Sequence, residues 1–167
     1  MANELARTSC LPMLKQEDVQ SYPRPPLLEP APYRISAQAA GEVILDTEAA
    51  WRVCETHHAP TYYFPKDDLR CALLPASGSS FCEWKGQASY WSLKVGDSVL
   101  PRVAWSYPRP TPGFAAIKDF VAIYPAALEA ATVDGLTVTA QPGDFYGGWV
   151  TSNLTGIVKG GPGTRHW

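Results

Sequence analysis

Short apolar runs alternate with polar or glycine breaks along this chain, and few runs are long enough to make a helix. Tyr33-Arg-Ile-Ser, Glu42-Val-Ile-Leu-Asp and Ala50-Trp-Arg-Val-Cys-Glu set bulky or β-branched residues among polar neighbours, as half-buried strands do. Similar runs follow at Thr61-Tyr-Tyr-Phe, Arg70-Cys-Ala-Leu-Leu, Ala88-Ser-Tyr-Trp-Ser-Leu, Arg102-Val-Ala-Trp-Ser-Tyr and Phe120-Val-Ala-Ile-Tyr. Thr132-Val and Leu136-Thr-Val-Thr-Ala flank Asp134-Gly135, a pair suited to a two-residue hairpin turn because both positions need φ above zero. Pro65-Lys-Asp-Asp-Leu predicts a turn or a single helical turn. Ala115 to Lys118 and Pro125 to Ala131 are Ala-rich and predict a helical turn or two each, without a sustained apolar face. The pattern predicts a mainly β antiparallel domain with few short helices, built as a sandwich, a barrel or two sheets hinged at one edge.

Both flanks break this pattern. Residues 1–32 form an arm in which Tyr22-Pro-Arg-Pro-Pro and Glu29-Pro-Ala-Pro remove backbone donors, excluding helix and disfavouring a central strand. Its Pro-rich part is expected to run extended along the body, while residues 1–20 read equally well as disorder. The β domain spans residues 33–140, and a Gly-rich tail follows at 141–167. Phe145, Tyr146, Trp149 and Trp167 in that tail predict that it packs on a surface, its own domain's or a second copy's.

Composition narrows the function classes. At 167 residues one core suffices. A net charge of −2 and a pI near 5.9 offer no positive field for nucleic acid or an anionic membrane. No stretch approaches bilayer-spanning length and Met1 to Glu17 lacks a signal-type apolar run, so a cytoplasmic protein is expected. Cys10, Cys54, Cys71 and Cys82 contain no C-x-x-C pair, and His57, His58 and His166 lack ligand spacing. Reduced thiols, no metal and no cofactor are therefore expected. Walker, Rossmann, nucleophile-elbow and zincin motifs are all absent.

Three aromatic-rich stretches between Glu55 and Tyr124 are candidates for chemistry. In Glu55-Thr-His-His-Ala-Pro-Thr-Tyr-Tyr-Phe, strand alternation sends Tyr62 and Tyr63 to opposite faces, and Glu55 is a natural acceptor for the hydroxyl that turns inward. That pair suits either a pocket floor or a core hydrogen bond. In Phe81-Cys-Glu-Trp-Lys-Gly-Gln-Ala-Ser-Tyr-Trp, Lys85 could be a base or an anion clamp against apolar surface, or could simply extend from a turn before the next strand. Cys82 has no nearby base and reads as a small buried residue. Trp105 and Tyr107, two apart, share one strand face and with Phe120 and Tyr124 would wall a cleft or fill a core.

Taken in order, E-T-x-x-x-P-x-Y-Y-x-P-x-x-D (Glu55 to Asp68), C-x-x-K-G-x-A-x-Y-W (Cys82 to Trp91), A-W-x-Y-x-x-P (Ala104 to Pro110) and F-V-A-I-Y (Phe120 to Tyr124) resemble the microbial family called domain of unknown function 427, also labelled nucleotidyltransferase-like. The resemblance covers Tyr33 to Gly135, and the tail resembles an extension of cyanobacterial members. It implies two antiparallel sheets meeting like a tent or sandwich around a cavity. It also singles out Glu55, Tyr63, Lys85 and Tyr90, which fall on its motif positions. Zinc-dependent activities of other tent-like folds do not transfer without paired C-x-x-C motifs. Nucleotidyl transfer needs clustered carboxylates for Mg²⁺, which Asp67-Asp68 alone do not supply.

The resulting expectation is a small-molecule pocket. Glu55 and Lys85 form its floor and are the catalytic candidates, and Tyr63, Tyr90, Trp105, Tyr107 and Tyr124 are the ligand-binding residues. The competing expectation is a non-catalytic module that binds a protein partner, or a second copy of the chain as a homodimer, through the Pro-rich arm or aromatic tail.

Overall fold

Strands form where the period-two pattern predicts them, and buried positions alternate with more exposed ones along central strands such as β3 (Ile35–Ala39) and β8 (Gly86–Val95). The computed structural model describes residues 14–143, 146–161 and 163–164. Cys10, Phe145, His166 and Trp167, singled out above, lie outside them, as do the first 13 residues of the arm.

In chain order the strands are β1 (Glu17–Asp18), β2 (Leu27–Ala31), β3 (Ile35–Ala39), β4 (Glu42–Thr47), β5 (Ala50–Cys54), β6 (Thr61–Tyr63), β7 (Ala72–Cys82) and β8 (Gly86–Val95). They continue as β9 (Ser98–Ser106), β10 (Val121–Ile123), β11 (Ala130–Val133), β12 (Leu136–Thr137), β13 (Thr139–Ala140), β14 (Trp149–Val150) and β15 (Leu154–Thr155). Single 3₁₀ turns at Val19–Ser21, Lys66–Asp68, Pro112–Ile117 and Pro125–Ala127 are the helical elements among the described residues.

One antiparallel sheet has the order β12-β11-β3-β4 and a second the order β10-β9-β8-β7. A three-stranded sheet, β2-β5-β6, runs into the second, because Phe64 and Val121 exchange backbone hydrogen bonds of 2.8 Å in each direction. The fold is thus mainly β with several antiparallel sheets and no closed barrel.

Alternation along this second, extended array feeds two cores. Tyr62, Phe64, Leu93, Ala104, Val121 and Ile123 face the first sheet, where they meet Ile35, Ile44, Leu45 and Val133. Their neighbours Tyr63, Tyr90, Trp105 and Ala122 enter a second core with Phe114 and Ile117. Burying each large apolar side chain of this kind contributes about 1.5–3 kcal/mol. The one-residue offset between Tyr62 and Tyr63, or Ala104 and Trp105, therefore decides which core a ring joins.

Several stretches refine the sequence-based expectation, and the Ala115 to Lys118 turn agrees with it. The arm supplies a sheet strand: Pro30 sits in β2 at the sheet edge, opposite Trp51, where a missing N–H costs no ladder bond. Helical composition at Pro125 to Ala131 yields a 3₁₀ turn only to Ala127, and Ala130 and Ala131 pair with Gln38 and Ala37 instead. The Ala115 to Lys118 stretch falls in the 3₁₀ turn Pro112–Ile117, with Lys118 as its cap. Residues 75–82, beyond the expected Arg70 to Leu74 run, continue β7 along β8 through a bulge between Ala76 and Ser79. The Asp134-Gly135 turn takes positive φ at both residues, 51° and 80°.

The tail docks on the body. Trp149 is fully buried, its Nε1–H donates to the Ile123 carbonyl (3.0 Å), and its ring meets Tyr62 and Phe64 at centroid distances of 5.8 and 5.4 Å. The Trp149 N–H donates to the Pro60 carbonyl (2.9 Å) and the Lys159 N–H to the His57 carbonyl (2.6 Å), so the tail follows the β5–β6 turn.

Candidate functional site

Three turns and four strand positions bring the singled-out side chains together. The turn after β5 is closed by the His58 N–H donating to the Glu55 carbonyl (2.9 Å), placing both side chains at the end of the three-stranded sheet. The tight β7–β8 connection holds Lys85 beside Gly86, whose φ of 108° and closeness to the Arg109 carbonyl (3.2 Å from an added Cβ) demand glycine. Thr111 clamps this turn: its N–H donates to the Lys85 carbonyl (3.0 Å) and its hydroxyl to that of Trp84 (2.5 Å).

Glu55, Lys85, Tyr63, Tyr90, Trp105, Tyr107 and Tyr124 all line one cavity of about 180 Å³ on the second-core side. Glu55 and Lys85 thus face the same space rather than opposite sides of the sheet. Cys82, expected in the core, is half-buried and lines the same cavity. Phe120 packs against the second core but does not line it.

The hydrogen bonds differ from the expected pairing. Neither Tyr62 nor Tyr63 bonds Glu55; its carboxylate faces Arg24 Nε at 3.7 Å, because the arm passes over this end of the sheet. Tyr63 instead accepts from Trp105 Nε1–H (3.3 Å), and Tyr90 shares a hydrogen bond with the Ser80 hydroxyl (2.7 Å). Arg102 stacks on the Tyr90 ring at 3.9 Å, and Lys85 Nζ lies 5.8 Å from the Tyr107 centroid. Burial pushes the hydroxyls of Tyr63 and Tyr107 well above their ordinary range and raises that of Tyr124, where Tyr90 adds to the effect. These three walls therefore present neutral O–H groups.

Sequence reasoning passed over His58 as a site residue, and it too lines the cavity. Its Nδ1 lies 3.1 Å from Gln141 Nε2, and its ring meets Tyr146 edge-on at 5.3 Å. Gln141, Tyr146 and Gly147 come from the tail, and Tyr146 and Gly147 also line the cavity. The available signal was the doubled His57-His58 in the motif, but its significance depends on a contact 83 residues away. Among the described residues no three His, Cys, Asp or Glu side chains gather as metal ligands, and no helix is long and apolar enough to cross a membrane. Burial pushes the Cys54 thiol up to about 12, as suits a packed rather than reactive thiol.

His58 has a measurable consequence. Burial foremost, then the positive charges of Lys159, Arg24, Lys85 and His57, lower its value from 6.5 to about 4. Between those limits the unfolded chain takes up a proton that the folded chain refuses, so stability falls as pH drops from about 6.5 towards 4. Discounted for partial exposure, about 1–2 kcal/mol should disappear over this window. Urea unfolding at pH 7.5 and pH 5 is expected to show that loss in the wild type and a smaller one in His58→Gln. Equal acid sensitivity in both proteins would assign the titration to another group.

The sequence model of the family described as domain of unknown function 427 matches residues 27–135. That stretch supplies both lysine and carboxylate of the cavity, whereas the tail residues lie beyond it. No curated protein matches the chain.

Proposed function

The chain belongs to the domain of unknown function 427 family, and from that premise we propose that its cavity binds a small polar molecule between the Glu55–Lys85 floor and the aromatic walls. The supporting observation is convergence: a cation, a carboxylate, neutral hydroxyls and an indole, drawn from separate strands and turns, line one space. A cavity built only for packing has no need of a charged pair. At about 180 Å³ it is smaller than the roughly 300–1,000 Å³ of drug-sized sites, which favours a compact metabolite. Binding is the proposed role; if the ligand is transformed, Glu55 and Lys85 are the base and acid within reach.

Thermal-shift screening against a metabolite library tests this reading. A ligand present at about 100 times its Kd adds about 2.7 kcal/mol of stability, which for a domain of this size raises Tm by about 5–10 °C. Lys85→Ala and Glu55→Ala should each shrink that shift. Hits whose shifts survive both substitutions undiminished would place binding elsewhere.

A further inference from the structure

Lys85 enters the cavity without a carboxylate partner. Among the described residues the acidic groups within 4 Å of a cation are paired with Arg24, Arg34, Arg52 or Arg70, and none with Lys85. Lys159 is likewise unpaired by any described carboxylate; its Nζ lies 5.8 Å from the ring centre of cavity-lining Tyr146. Among the described residues the single carboxylate lining the cavity, Glu55, already faces Arg24. Among the described residues positive charge is therefore in excess around this space, although the whole protein is acidic at −2.

The tail determines what His58 adds. Gln141 is buried, and both ends of its amide meet backbone groups of fixed polarity. Its Oε1 accepts from the Ala59 N–H (3.0 Å) and its Nε2 donates to the Lys159 carbonyl (3.0 Å), so the amide cannot be flipped. The remaining Nε2 hydrogen points at His58 Nδ1, which must then accept. The imidazole is thereby held neutral with its proton on Nε2, and no described residue accepts from that nitrogen. Imidazolium would put an N–H against the Gln141 N–H, in agreement with the depressed titration of His58.

On the binding reading set out above, we propose that the cavity takes a small planar carboxylate, its anionic group held by Lys85 and the His58 Nε2–H and its plane against Trp105, Tyr107 and Tyr124. A carboxylate accepts from both a cation and a neutral N–H, and each is a stronger partner than for a neutral acceptor. Glu55 in the same lining repels a second negative charge, which selects a monoanion over phosphate. The aromatic walls select an apolar body over a free inorganic anion. The tail thus helps to select the ligand through Gln141, from outside the family-matched residues 27–135.

Nuclear magnetic resonance titration of the full chain, following the Trp105 indole N–H, tests this with benzoate, benzamide, benzylamine and inorganic phosphate. Trp105→Phe serves only to assign the signal. Benzoate should move the indole resonance with a Kd about tenfold or more below that of benzamide, a difference of about one charge-assisted contact. Benzylamine and phosphate should bind more weakly still. Lys85→Gln is expected to weaken benzoate about tenfold and bring it level with benzamide. His58→Phe should weaken benzoate severalfold, with His58→Gln, which keeps an N–H, recovering part of the loss; a single cooperative melting transition in each verifies that both variants fold. Benzamide, benzylamine or phosphate matching benzoate, or benzoate binding indifferent to Lys85→Gln, would overturn the carboxylate assignment and leave a working pocket. If no probe of any charge moves the indole, the binding reading itself fails.

Discussion

Trp149→Ala is expected to destabilise the fold by about 4 kcal/mol, since truncating a buried Trp removes its transfer energy and leaves a cavity. The ring is fully buried, wedged against Tyr62 and Phe64, and its N–H satisfies the Ile123 carbonyl on β10. In a domain of this size that loss lowers Tm by about 8–16 °C. Trp149→Phe keeps most of the packing and gives up the hydrogen bond, for a smaller cost of about 1–2 kcal/mol. Calorimetry of the three proteins measures the series. Limited proteolysis should cut the tail faster in the Ala variant, because the same ring anchors it to the body. A Trp149→Ala protein that melts within about 3 °C of the wild type would contradict the docking of the tail described here.

Gly148→Ala acts one residue earlier and by the opposite route, adding volume where none is free. A Cβ there would stand 2.1 Å from Gln141 Oε1, 2.9 Å from the Ala59 carbonyl oxygen and 3.0 Å from the Ala59 Cβ. The Gln141 side chain can rotate away, but the Ala59 backbone lies in the closed turn between Glu55 and β6 and cannot easily follow. Overpacking of this kind costs about 1–3 kcal/mol, and the displaced amide adds the loss of its buried hydrogen bonds to Ala59, His58 and Lys159. The total expectation is about 2–4 kcal/mol, accompanied by a partial rise in the titration of His58 above about 4, since burial and the neighbouring positive charges still act on it. Chemical denaturation reads the first effect and imidazole resonances read the second. Lost stability with an unmoved His58 would show that Gln141 adds nothing to the burial and positive charge that keep the imidazole neutral.

Much of the cavity was legible in the sequence because its walls are strand residues with a fixed period. Trp105 and Tyr107 lie two apart and so share a face, and Tyr62 and Tyr63, one apart, separate into different cores. Lys85 and Glu55 were legible for another reason: both close strands at turns, where polar side chains can reach a space that the strands line with rings. Their actual partners were not. Arg24 reaches Glu55 only because the arm crosses the end of the sheet, and no local pattern encodes that crossing. β7 runs past the Arg70 to Leu74 run because Pro-Ala-Ser-Gly-Ser-Ser, which carries no apolar alternation, is held extended by its ladder to β8.

By itself the sequence determined the mainly β class, the Asp134-Gly135 hairpin, the opposed faces of Tyr62 and Tyr63, the shared face of Trp105 and Tyr107, and the family, since each of these follows from local spacing or from ordered motifs. Tertiary structure alone decided that the tail forms part of the cavity and that Gln141, 83 positions from His58, sets where the imidazole carries its proton. The physical reason is that a hydrogen bond between distant segments depends on how sheets and tail pack together. Strand periodicity fixes which face a side chain takes, but not which remote group it meets there.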